Sequence, residues 1–174
     1  MALDPHKGYR SLLRGRTSQA GSEYFLTFCT EHRHGNLAVP ELAPSILAEI
    51  HDMETDGVWS CRCIVIMPDH VHLLIRLADK LSLGKAVARL KGKSGSILKA
   101  AGIRWQDGYY DHPMRPKEDR LPVFLYLYLN PYRAGLLPLE KTWPWFVCSE
   151  EDRSWFMPML DQGLPEPAWL ARLP

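Results

Sequence analysis

Apolar and polar positions along the chain repeat with two distinct periods. The stretch "EYFLTFCT", Glu23–Thr30, is dense in β-branched and aromatic residues and predicts a first strand. "PELAPSILAEIHDMET" brings Leu42, Ile46, Leu47 and Ile50 close to one face at helical spacing. "VWSCRCIVIM" and "HVHLLIRL" predict two strands around Pro68-Asp69, a turn short enough for a hairpin. Ser82 stands where a cap belongs, ahead of a helix predicted to run to about Ala100 with Leu83, Ala86, Val87, Leu90, Ile97 and Leu98 inward. "GYYDHPMR" is a weaker strand, and its Pro113 suits a sheet edge. "KEDRLPVFLYLYLN" predicts a last helix, with Pro122 tolerable only in its first turn and Pro131 disfavouring helical geometry at Asn130, where it should stop.

The order β-α-β-β-α-β-α predicts an α+β fold, a ferredoxin-like split βαβ antiparallel sheet of four strands with an added C-terminal helix. Both crossover helices fall on one side of such a sheet. The other face is expected to be open to a site or a partner.

That open face has candidate chemistry. Strand side chains alternate, so Val71, Leu73, Ile75 and Leu77 point to the helix-covered core and His70 and His72 share the opposite face, roughly 6–7 Å apart. Two imidazoles at that spacing can converge on one metal ion, or can simply be solvated. On the last helix Leu121, Phe124, Leu125, Tyr128 and Tyr132 fall on one stripe, which marks Tyr128 as core. Tyr126 and Asn130 lie on another side, four residues apart and therefore neighbours. Asn130 offers a carbonyl oxygen as third ligand to a hard cation, and Tyr126 offers a nucleophile that forms covalent intermediates. A tyrosine half-buried at a helix edge is the plainer alternative.

Composition narrows the class. The 174 residues suit one domain, 46% apolar residues exclude a disordered chain, and no apolar run approaches the roughly 20 residues a membrane span needs. "MALDPHKGYR" lacks a signal-peptide core, and Cys29, Cys61, Cys63 and Cys148 follow no disulfide or zinc-ribbon spacing, so a cytoplasmic location with reduced thiols is expected. Net charge is only +1, yet charge is segregated. Lys80 to Gln106 holds seven basic residues and no acidic one, whereas the tail from Leu139 holds six acidic against three basic. Lys7, Arg10, Arg14 and Arg16 make a second basic cluster. Segregation of this kind predicts a basic face, or else solvated helix surfaces.

With these residues in view, the sequence resembles the single-tyrosine HUH transposases, and within them the REP-associated tyrosine transposases. The resemblance is carried by "VIMPDHVHLLIRL", "RLKGKSG", "WQDGYYDHPMR", "YLYLNPYRAGL" and "TWPWF", in family order over about residues 9–146. It implies a single domain over 1–174, comprising a basic DNA-reading arm (1–22), a catalytic core (23–135) and a C-terminal extension (136–174). It also implies Tyr126 as nucleophile, and His70, His72 and Asn130 as ligands to Mg²⁺ or Mn²⁺. The implied activity is cleavage and rejoining of single-stranded DNA at hairpin-flanked repeats through a 5′-phosphotyrosine. Phosphate contacts are expected from Lys85, Arg89 and Lys93, which recur every four residues, with Lys91 nearby and Arg10, Arg14 and Arg16 from the arm. The partners implied are single-stranded or hairpin DNA, in the nucleoid, with no membrane and with a homodimer left open. Trp105 reads either as a base-stacking or as a loop-packing residue, and His112 as a candidate aid to proton transfer. Two alternatives stand beside this reading: a zinc site in which Cys61 or Cys63 joins the histidines across the hairpin, and a non-catalytic nucleic-acid-binding module on the same fold.

Overall fold

Residues 18–138, 140–160 and Trp169 are described in the computed structural model; the arm residues Arg10, Arg14 and Arg16 lie outside them. Strand β1 (Glu23–Cys29) is buried along its whole length. It pairs antiparallel with β3 (His70–Leu77) on one side and with β4 (Tyr110–Pro113) on the other. Strand β2 (Trp59–Ile66) leads into β3 through the expected two-residue turn, in which the Met67 N–H donates to the His70 carbonyl at 2.8 Å. The sheet order is β4-β1-β3-β2-β5, which is the split βαβ arrangement plus a fifth strand, β5 (Phe146–Cys148). Three residues with no alternation of their own leave no period to read, which is why the sequence predicts only four strands.

Helices α1 (Ala43–Thr55) and α2 (Leu83–Ala100) cover one face as expected. Ile46, Ile50, Met53, Leu83, Val87, Leu90 and Leu98 pack there on Leu26, Phe28, Ile64, Val71, Leu73, Ile75 and Leu77. Ser82 caps α2. No helix among the described residues is long and apolar enough to cross a membrane.

The second face is covered, not open. Helix α3 (Leu121–Arg133) and the short α4 (Glu150–Phe156) close over it, so that Val123, Phe124, Leu125, Leu127 and Phe156 pack on Phe25, Cys63, Val65, Met67 and Leu74. The reason is visible in α3, whose buried residues run nearly all round its first turns and demand two partners, the sheet and α4. Tyr128, assigned to the core by its stripe, packs against Phe146 and Phe156, with ring centroids at 5.3 and 5.7 Å. Contrary to expectation, α3 also runs through Pro131. One missing N–H is tolerated close to the end, where Gly135 (φ 67°) turns the chain and the Leu136 N–H donates to the Pro131 carbonyl at 3.0 Å. Asn130 therefore stays helical, one turn beyond Tyr126.

Strand β2 carries a bulge between Cys61 and Cys63. The extra residue reverses the alternation: Cys61 packs with the first core and Cys63 with the second, so the two thiols do not share a face as a regular strand predicts. The bulge also aims Arg62 at the second face. Its NH1 donates to Glu23 Oε1 at 3.0 Å, its Nε to Asp152 Oδ2 at 3.2 Å, and its guanidinium lies 5.0 Å from the Phe124 ring centre. Glu23, 6% exposed, also accepts from Arg120 Nε (2.9 Å) and Arg76 (3.2 Å). One carboxylate thus ties the start of β1 to β2, β3, the residue preceding α3 and, through Arg62, to α4.

Ser149 caps α4, its Oγ accepting from the Asp152 N–H at 3.0 Å. Ser149→Ala is expected to cost about 1 kcal/mol in a urea-denaturation experiment, because one end donor of a short helix goes unsatisfied.

Candidate functional site

The site is built where β1, β3 and α3 meet. Thr27 and His72 are directly opposed in the β1–β3 ladder. Thr27 Oγ1 lies 2.7 Å from His72 Nδ1, and Phe25 stacks on the imidazole at 5.4 Å. The tautomer in which Nδ1 donates to Thr27 leaves the Nε2 lone pair directed at Tyr126, whose hydroxyl is 3.4 Å away. His70 stands beside it, with ring centroids 4.6 Å apart.

His70 Nδ1 lies 2.6 Å from Asp69 Oδ1. A lone pair facing a carboxylate at that distance would repel it, and this closer contact outweighs the Arg33 NH1 at 3.3 Å from the same nitrogen, so Nδ1 carries the proton and Nε2 keeps its lone pair. Arg33 completes the group, its NH1 3.2 Å from Asp69 Oδ2. Both His32 and Arg33 hold φ 55°, a left-handed conformation costly for residues with a Cβ, in the turn that presents this guanidinium. Burial lowers the pKa of both imidazoles, that of His72 the further; for His70 the Asp69 carboxylate opposes the shift. Asp69 is held below the usual carboxylate range because His70 and Arg33 outweigh its own burial. Neutral rings with engaged Nδ1 atoms and lone pairs on Nε2, that of His72 facing the Tyr126 hydroxyl at 3.4 Å, are what a divalent cation requires of histidine ligands. Asn130, half-buried on α3, is the remaining oxygen donor expected from the sequence.

The structure thus brings His70, His72 and Tyr126 together and keeps Asn130 one helical turn away. It adds Thr27, Asp69 and Arg33, which sequence reasoning missed. Asp69 was visible only as a turn residue. Thr27 was visible as a hydroxyl in an apolar strand, and Arg33 left no local signal. His112 is otherwise engaged, with Nε2 2.8 Å from Glu118 Oε1 and its ring stacked 4.0 Å from Trp169.

The basic residues of α2 lie on the opposite side of the sheet from Tyr126 and divide into two groups. Lys85 and Lys93 are exposed. Arg89 pairs with Asp56 of the α1 C-cap at 2.5 Å and approaches Glu49 at 3.7 Å. Lys91 turns to the loop after α2, where its Nζ donates to the carbonyls of Gln106 (2.7 Å) and Gly108.

The zinc alternative loses Cys61 to the bulge. Cys63 remains on the histidine face but is in register with Cys148 of β5, and burial pushes its thiol pKa well up. Among the described residues, no group of three His, Cys, Asp or Glu side chains is placed to hold a metal.

Comparison with known proteins places these observations in a family. Residues 18–115 match the family model described as "Transposase IS200 like", a segment that includes His70 and His72 and ends before Tyr126. A REP-associated tyrosine transposase of Haemophilus influenzae is 29% identical over 97 residues, covering 47% of this chain and 54% of that protein. The ISDra2 transposase TnpA of Deinococcus radiodurans is 31% identical over 81 residues, covering 47% of this chain and 57% of that one. The chain therefore matches little more than half the length of either relative. A solved REP-associated tyrosine transposase bound to a REP hairpin superposes with a TM-score of 0.62 at 21% identity, covering 75% of this chain and 79% of that one, and so has the same fold. With more than half of its residues matched to that model, the chain belongs to the IS200-like transposase family.

Proposed function

We propose that the protein is a metal-dependent single-stranded DNA endonuclease and strand transferase that acts in the cytoplasm at hairpin-flanked repeats, through a 5′-phosphotyrosine on Tyr126. The observation that carries this reading is the Tyr126 hydroxyl at 3.4 Å from His72 Nε2, with His70 packed alongside.

His70 Nε2, His72 Nε2 and the Asn130 side-chain oxygen would hold Mg²⁺ or Mn²⁺, which supplies polarisation of the scissile phosphate and screening of its charge. The residues of the chain do the rest. The Tyr126 oxygen, having lost its proton, attacks phosphorus. One P–O bond forms to tyrosine and the P–O bond to the 3′ oxygen breaks; the phenol proton passes to solvent and the departing oxygen takes one up from it, leaving a free 3′-hydroxyl and a 5′-phosphotyrosine. The number of phosphodiester bonds is conserved, so attack by another 3′-hydroxyl rejoins DNA without an external energy source. Phe25, fully buried, stacked on His72 and edge-on to Tyr126 at 6.2 Å, gives the two reacting side chains an apolar floor.

Incubation with single-stranded fragments of the flanking genomic repeats and Mn²⁺, followed by denaturing electrophoresis, tests the proposal. A band shifted by the mass of the DNA supports it, and DNA that binds but never attaches covalently overturns it in favour of a binding module. The histidine partners yield a separate prediction. Thr27→Val and Asp69→Ala each are expected to weaken Mn²⁺ binding by about 10- to 100-fold in a calorimetric titration, because each frees an imidazole to rotate or change tautomer.

A further inference from the structure

Behind the histidine turn, on the α2 side of the sheet, the loop 103–108 stands away from the C-terminal half of α2 and leaves a cleft of about 560 Å³. Between Lys91 and Lys99 the wall contributed by α2 exposes backbone: Gly92 and Gly95 belong to the lining, and a Cβ at either would meet nothing within 4 Å. Lys99 and Arg104 stand at the rim, both exposed and neither in an ion pair among the described residues. Trp105 forms an apolar wall, fixed by its Nε1–H donating to Ser94 Oγ at 2.9 Å and by an edge contact with Phe28 at 6.0 Å. Lys91 holds the loop in place through the Gln106 and Gly108 carbonyls. Burial brings its ammonium down to about 8, opposed by smaller pulls from Cys29 and from Asp107, the acidic residue of the lining.

We infer that this cleft is a sequence-independent binding site for single-stranded DNA, carrying the strand from the His70 turn past Arg104 to Lys99 along the glycine wall of α2. The inference deepens the transposase reading and rests on it for the nature of the polymer.

Two observations favour a polymer over a mononucleotide. Arg104 also lines a second depression of about 400 Å³ with Glu31, His32, His34 and Gly102, so the cleft continues beyond one nucleotide's volume. The backbone then leads back to the catalytic turn: the Glu31 N–H donates to the Arg104 carbonyl at 2.8 Å, and the Thr30 N–H to the Asp69 carbonyl at 2.9 Å. Bare helix backbone lets a phosphodiester approach closely, and two uncommitted cations at the rim suit its charge. Arg89, expected from the sequence to contact phosphate, already has carboxylate partners.

The test is fluorescence anisotropy of a labelled 20-residue oligodeoxythymidine over a salt series. The double variant Lys99→Ala/Arg104→Ala is expected to bind about tenfold more weakly. It should also lower the slope of log K against log salt by about 1.4, or about 0.7 for each single-strand phosphate that the protein no longer neutralises. Gly95→Leu changes no charge but fills the cleft, and is expected to weaken binding several-fold. Lys117→Ala/Lys141→Ala removes as much charge from exposed positions outside the cleft and should have less than half the effect on the slope. Equal losses from both double variants, or wild-type affinity in both Gly95→Leu and Lys99→Ala/Arg104→Ala, overturn the assignment. Adduct formation on repeat-derived DNA is scored in parallel. A wild type that forms the adduct while the cleft variants bind normally removes the cleft alone, and one that binds through the cleft without ever forming an adduct removes the catalytic reading alone.

Discussion

Tyr126→Phe is expected to abolish the covalent protein–DNA adduct, a loss on the order of 10⁴-fold or more in cleavage rate, because no other group replaces a missing nucleophile. The substitution removes one oxygen and little else. The ring keeps its T-shaped contacts with His72 (5.3 Å) and Phe25 (6.2 Å), so folding and single-stranded DNA affinity should stay close to wild type. Tyr128→Phe is the control. Its ring packs among Tyr132, Phe146 and Phe156, and its loss of a hydroxyl should leave adduct yield unchanged. Denaturing gels with Mn²⁺ and repeat-derived single strands measure both. An undiminished adduct from Tyr126→Phe would move the nucleophile to another tyrosine and end the assignment.

Glu23→Ala is expected to destabilise the protein by about 3 kcal/mol in guanidinium denaturation at pH 7. That is the low end of what removing one partner of a buried ion pair costs, because Arg76 remains exposed enough to relax into water. Arg62 and Arg120, less exposed, lose their common acceptor and keep only Asp152 and backbone carbonyls such as those of Arg115 and Glu118, respectively. The pH dependence follows from the direction of the Glu23 shift. Burial alone would raise its carboxyl, but the Arg120 and Arg62 hydrogen bonds prevail and hold it below the ordinary value of 4.5. A carboxylate with a depressed folded-state pKa contributes stability that is present above the unfolded value and lost as pH falls below it. Wild-type stability should therefore drop between about pH 5 and the depressed folded value, and Glu23→Ala should flatten that part of the curve. Parallel curves for the two proteins would show that Glu23 does not bear this charge in the native state.

Much of the scaffold was legible in the residues themselves. The β1, β2 and β3 patterns, the two-residue turn at Pro68-Asp69, the Ser82 cap and the helix ending near Ala100 all depend on neighbours within a few positions, and each is seen at the expected place. The spacing of His70 and His72 put them on one face for the same reason. So did the division of α3 into a Tyr128 side and a Tyr126 side.

Contacts between distant segments were not legible. The covered second face depends on α4 and β5, too short to carry a period, meeting an α3 whose apolar surface is wider than one stripe. The bulge at Arg62 has no sequence signal, yet it decides both where Cys61 points and that Arg62 reaches Glu23, thirty-nine positions away. Arg89 looks on the helix like a cation awaiting phosphate, and only the packing of α2 against α1 reveals Asp56 and Glu49 beside it.

By itself the sequence determined four of the five strands seen among the described residues, the three long helices, and the sides of β3 and α3 on which His70, His72 and Tyr126 lie, since these obey periods of two and 3.6 residues set by backbone geometry. Tertiary structure alone decided that Thr27 and Asp69 hold the imidazoles, that Arg33 backs them, and that a cleft opens behind the turn. Those facts are distances between residues far apart in the chain, which no local period encodes.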